Sequence, residues 1–208
     1  MTSTSHIDQE LTGWRIEASI GQLLARGWNL LRPDFIKYLV MLLLLGLPYL
    51  SDTLSPYWAL FLAIFPLPEG MLMYALKRAR GVEPKLEDVG RVFSVFLQLL
   101  LIRVVGGLLI WIGVLLLVIP GVYLSVGYSL AFPLVLDRGL GFWEALETSR
   151  RVVTKRWFTV FGLALVLLLI NAIGVFPLIV GWLFTVPFTL CVLVALYEAA
   201  LGIAGDAP

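Results

Sequence analysis

The chain is poor in the residues that carry most chemistry. It has one cysteine, Cys191, and one histidine, His6. A single cysteine cannot close an internal disulfide, and Cys191 lies in an apolar run, where a small buried hydrophobe is the ordinary role. A lone histidine in a polar N-terminal tail, far from that cysteine, gives no zinc-type site. Charge is scarce as well: 14% of the residues are Asp, Glu, Lys or Arg, against about 25% in soluble domains. The patterns GxSxG, HExxH, GxxxxGK[ST] and CxxC are absent, so no nucleophile elbow, zinc peptidase site, phosphate loop or dithiol is expected. Neither an enzyme nor a cofactor is implied. The first 15 residues hold no apolar h-region, so the first hydrophobic span should act as an uncleaved anchor.

Apolar residues are what the chain has instead. They make up 60% of it, and the mean hydropathy is +0.96. No water-soluble core hides that much apolar surface, so lipid must be the solvent for most of it. The expected fold is therefore all-α, a polytopic membrane protein of about six transmembrane helices with three amphipathic helices on the cytoplasmic side. A polar tail, 1–14, precedes a single transmembrane domain, 15–202, and a short C-terminal tail, 203–208, follows.

Residues 16–31 read as an amphipathic helix. Ile16, Ile20, Leu23, Leu24, Gly27 and Leu31 share one face, and Glu17, Gln22, Arg26 and Asn29 the other. It is too polar to span and suits the membrane interface. Spans are expected at about 35–50 and 57–76, joined by the polar turn SDTLSP, with a kink at PLPEG in the second. Pro84 opens a short surface helix, 84–91, with Glu87 and Arg91 spaced to pair. Spans three and four, 92–118 and 122–136, turn at Ile119-Pro120-Gly121. A third surface helix, 142–155, sets Phe142, Leu146, Ser149 and Val153 opposite Glu147 and Arg151, and leads into spans five and six, 157–173 and 182–201, with Pro187 inside the last.

The order of surface helix and two spans occurs three times, over 15–81, 82–139 and 140–202. The units end at Gly81, at Gly139 and near Gly202, and their first spans open with Phe35 and Tyr38, Phe93 and Phe96, Phe158 and Phe161. Of 15 Lys and Arg, four precede or open span one, five lie between spans two and three, and five between spans four and five. The opposite loops carry none. Positive residues mark the cytoplasmic side, so both termini are expected in the cytoplasm and the protein in the cytoplasmic (inner) membrane. The basic loops lie against the membrane, which makes anionic lipid headgroups nearer partners than nucleic acid.

The remaining cation, Arg103, lies ten residues past Phe93, about 15 Å deep at 1.5 Å per residue. It needs a partner, and Glu69, eight residues before Lys77, lies about 12 Å from the same face. The two form a candidate intramembrane polar site with Asn171 of span five. Such a group serves either as a substrate, ion or proton site, or as a structural pair that fixes helix register.

The stretch 119–161 resembles a large bacterial and archaeal group of six-span membrane proteins, similar to the membrane domain attached to some glycerophosphoryl diester phosphodiesterases. The resemblance rests on Ile119-Pro120-Gly121 followed by Tyr123, on Ser129 to Pro133, on Asp137, on Gly141 to Leu146, and on Ser149 and basic residues before Trp157. It implies the six-span layout. It implies no phosphodiesterase activity, because a catalytic barrel needs about 250 residues. The function expected is a non-enzymatic scaffold or accessory protein that binds membrane lipids, protein partners or further copies of itself. The alternative is a small transporter or channel with a midplane site around Arg103 and Glu69.

Overall fold

The structure is a computed structural model and describes residues 18–46, 67–84, 91–175 and 180–202. Every regular element among them is helical. The expectations for the two tails with His6, the SDTLSP turn, the end of span one, the start of span two, most of the 84–91 helix and the centre of the last turn lie outside the described residues.

The first helix, α1 (Ile20–Leu31), starts at a capping box. Ser19 accepts from the Gln22 amide, and the Gln22 side chain accepts from the Ser19 amide at 2.8 Å, so two otherwise orphaned donors are satisfied. Its apolar stripe is covered by protein: Leu23 and Leu31 are buried, and Gly27 lies against the Val192 backbone. A 3₁₀ turn, Arg32–Asp34, leads to α2 (Phe35–Gly46), and α3 (Leu67–Ala79) carries Pro68 in its first turn.

Four helices among the described residues are long and apolar enough to cross a membrane: Val92–Leu116, Val118–Arg138, Trp157–Gly174 and Gly181–Leu201. The first is not uniform. A 3₁₀ start, Arg91–Val95, passes into α4 (Phe96–Leu101), a π-helical segment Ile102–Gly106, and α5 (Gly107–Leu116). The chain reverses at Leu117, whose backbone is extended (φ −163°, ψ 133°). Ile119-Pro120-Gly121, expected as the turn itself, instead falls in the first turn of α6 (Val118–Gly127). Proline is tolerated there because the first amides of a helix have no intrahelical acceptor.

The expected fourth span is broken at Tyr128–Leu130 into α6 and α7 (Ala131–Arg138). Helix α8 (Phe142–Thr154) packs along both pieces. Its stripe, like that of α1, is buried by protein: Ala145, Leu146, Ser149, Val152 and Val153 are all inaccessible. Helices α9 (Trp157–Val175) and α10 (Val180–Leu201) complete the fold, with Pro187 inside α10. The core joins Tyr38, Tyr74, Leu134, Leu146, Val192 and Tyr197 from five helices.

Among the described residues three glycines have positive φ: Gly81 (76°), Gly139 (66°) and Gly202 (63°). Each ends a helix, with Gly139 N–H bonded to the Val135 carbonyl and Gly202 N–H to that of Glu198. Only glycine reaches this left-handed conformation without strain. These are the glycines at or near which the sequence pattern leads one to expect each unit to end.

Candidate functional site

Arg103 sits second in the π-helical segment, and Glu69 in the first turn of α3. A π segment inserts one extra residue and re-aims the side chains around it. Here Gly106, at the end of the segment, lets the Leu146 side chain approach to within 3.2 Å of where a Cβ would stand. The guanidinium meets the carboxylate in a fork: Nε donates to Oε1 at 3.1 Å, and one terminal nitrogen donates to Oε1 at 2.6 Å and to Oε2 at 2.7 Å. The Glu69 side chain is 5% exposed and that of Arg103 25%. The guanidinium also lies 5.9 Å from the Phe132 ring centroid, over a face whose quadrupole attracts cations. Charge-assisted, two-point pairing is the strongest form such a contact takes. Chemically it yields a satisfied pair in which both carboxylate oxygens are engaged.

Asn171 does not join them. Its amide donates to the Leu167 carbonyl and to Thr189 Oγ1, both at 2.8 Å, and Thr189 donates to the Thr185 carbonyl. It ties α9 to α10, a separate place in the fold. The three candidate residues therefore form one pair and one distant hydrogen bond.

A second polar node was not anticipated from sequence. Asp137, whose side chain is fully buried, pairs with Arg80 and accepts from the Tyr197 hydroxyl at 2.6 Å. Arg138 donates to Tyr197 Oη at 3.3 Å and to the Leu201 carbonyl at 3.0 Å. The ends of α3, α7 and α10, each within two residues of a left-handed glycine, are thus bonded together. The available signal was charge immediately before glycine, in Arg80-Gly81 and Asp137-Arg138-Gly139. Asp34 forms a comparable knot, 3.0 Å from Lys37 Nζ and 3.2 Å from Arg78 Nε.

Ser149 explains the break in the second of the four long helices. Its hydroxyl donates to the Gly127 carbonyl at 2.6 Å and accepts from the Leu130 amide at 3.0 Å. A broken helix leaves such groups without partners, and burial makes that costly. On the outer face of α8, Glu147 accepts from Arg150 and Arg151 at 2.7 to 2.9 Å. The Arg150 hydrogen bond, more than any other contact, holds the Glu147 carboxyl down at about 2. At the end of the same helix Tyr123 Oη and Thr154 Oγ1 are 2.7 Å apart.

Among the described residues, no group of three or more His, Cys, Asp or Glu is placed to hold a metal ion. The fold and these contacts define a class: a helical membrane protein, two of whose long apolar helices are tied by ion pairs with buried carboxylates to α3 and the residue that follows it. Comparison with family models, with curated proteins and with solved structures finds no match to this chain.

Proposed function

We propose that this chain is a non-enzymatic scaffold or accessory protein of the cytoplasmic membrane, with six spans and both termini in the cytoplasm, that binds lipids or partner proteins there. The observation that carries this reading is the closed pair of Arg103 and Glu69, in which the guanidinium occupies both carboxylate oxygens. A transport site must exchange partners during its cycle, whereas a structural pair keeps one. Asn171 supports the same side, being engaged twice within its own hairpin.

The six-span layout is supported by the confinement of basic residues to alternate connections. The threefold repeat is supported by left-handed glycines at all three unit ends and by the bonding of those ends through Arg80, Asp137, Tyr197 and Arg138. The resemblance to six-span proteins over 119–161 agrees with this layout.

The test is purification in mild detergent, with mass spectrometry of the lipids and proteins retained. A reproducible retained set is expected, enriched over an unrelated membrane protein of similar size. A protein recovered bare, and carrying an Arg103-dependent ion or solute flux in proteoliposomes, would replace this reading with the transporter.

A further inference from the structure

The amphipathic helices α1 and α8 pack across the boundaries between units. Helix α8 opens the third unit and lies on the second. Its Ser149 bonds both sides of the break in the second unit's last long helix, at Gly127 and Leu130, and a Cβ on Gly127 would stand 3.7 Å from the Arg150 Cα. Helix α1 opens the first unit and lies on the third. A Cβ on Gly27 would stand 2.9 Å from the Val192 Cα, and Arg26 donates twice to the Glu198 carboxylate, both at 2.9 Å. The two dockings are in register. Phe35 and Phe158 open the first spans of their units, and Gly27 and Arg150 lie eight residues before them. Their partners, Val192 and Gly127, lie ten and twelve residues before the closing glycines Gly202 and Gly139. In each contact a glycine lets the two helices approach, from the docking helix in α1 and from the helix beneath it in α6.

The remaining boundary is held at the same level. Arg103 of the second unit donates to Glu69 of the first, which lies twelve residues before Gly81. Each unit thus reaches back to the second span of the unit before it, and the first unit reaches back to the third. We infer that the three units close head to tail into a ring, with α1 as the strap that joins the last unit to the first. A linear array of repeats leaves the docking face of its terminal unit open, and an open head-to-tail face recruits further copies. Here α1 covers that face, and Val192 beneath it is fully buried. The strap holds by fit more than by charge, because the Arg26 and Glu198 side chains are 46% and 30% exposed and exposed pairs contribute little. The inference rests on the six-span, threefold reading above and adds the order in which the units meet.

The test is a circular permutant of the full chain that begins at Leu140, joins Pro208 to Met1 and ends at Gly139, so that α8 becomes the strap. Residues 203–208 and 1–17 then form the connection, 23 residues long, with a reach of roughly 75 Å. Each unit carries a pair of spans, so both new ends stay in the cytoplasm. The permutant should purify in mild detergent as the parent does and melt within about 5 °C of it. A second measurement keeps the native order. In a chain with a protease site between Gly139 and Leu140, Arg26→Cys and Glu198→Cys should be joined by a short bis-maleimide. After cleavage the two pieces should run as a single band under denaturing conditions; Cys191 is buried and adds no competing site. Separate bands would overturn the closure. A single band, beside a permutant that inserts with both ends inside yet does not fold, would overturn the equivalence of α1 and α8 and the ring with it, provided that a connection longer by about ten Gly and Ser residues fails as well. A permutant whose new N-terminus a reporter places outside would instead defeat the six-span reading on which the ring rests.

Discussion

Arg103 was legible in the sequence because charge in hydrocarbon is expensive. An arginine at such depth costs at least ~2.5 kcal/mol on insertion scales, which made a partner necessary and Glu69 the one at matching depth. Breaking a buried pair leaves the survivor uncompensated, typically at ~3–5 kcal/mol. Arg103→Ala and Glu69→Ala should each lower the melting temperature in detergent, and the double variant should lose less than the sum. Strict additivity would mean that the two groups do not interact. Glu147 offers a pH test outside the long helices. Its folded pKa, about 2, lies below the ordinary carboxylate value of 4.5. The stabilisation is therefore present above about 4.5 and disappears as pH falls through about 2. The difference in melting temperature between the parent and Glu147→Gln should be constant above pH 5 and shrink toward pH 2. It should also be modest, because the side chain is 32% exposed and solvent screens it. A difference independent of pH would mean that the pairing with Arg150 is not what stabilises α8. The Asp137 node was not legible, because its partners Arg80 and Tyr197 are 57 and 60 residues away, and charge before Gly81 and Gly139, the one local signal, does not say which groups meet.

Among the elements, existence was easy to read and continuity was not. Long apolar runs announce helices, and α9 and α10 fall close to where hydropathy puts them. The break at Tyr128–Leu130 carries no proline or glycine pair, since its cause is Ser149, on another helix, bonding both sides of the gap. The π segment is equally silent, as Ile102 to Gly106 is uniformly compatible with an α-helix. The amphipathic stripes were correctly located on α1 and α8, but sequence does not say whether lipid or protein covers a stripe. For α1 the close contact is measurable. A Cβ on Gly27 would stand 2.9 Å from the Val192 Cα, whereas one on Gly21 meets nothing within 4 Å. Gly27→Ala should destabilise by ~1–3 kcal/mol, as overpacking does. Gly21→Ala in the same helix should be neutral or stabilising by up to ~1 kcal/mol. Equal effects on thermal stability would mean that α1 does not dock on α10.

For the whole molecule, charge asymmetry supplies the expectation for orientation, while the partners of each helix stay hidden because apolar faces run all round the long helices. A reporter active only in the cytoplasm should be active when fused after Arg80, Leu140 or Pro208, and inactive near Thr53, Leu117 or Gly174. The Leu117 position is the sharpest, because Val118 and Ile119 share a groove with Trp157, which the same topology places at the cytoplasmic end of the fifth span. An active fusion there would make the α5–α6 hairpin re-entrant, and one near Thr53 would defeat the charge argument. The central claim is that the polar groups inside the bundle hold it together while function lies in what the protein binds. The most direct measurement is replacement of Arg103 by Met together with Glu69 by Leu, followed by purification in mild detergent and mass spectrometry of what is retained. Apolar residues of similar volume often replace a buried pair without loss of stability. The account predicts a folded variant that keeps the parent's lipids and partners. A folded variant of unchanged melting temperature that has lost them, or has lost a flux the parent carries, would contradict it.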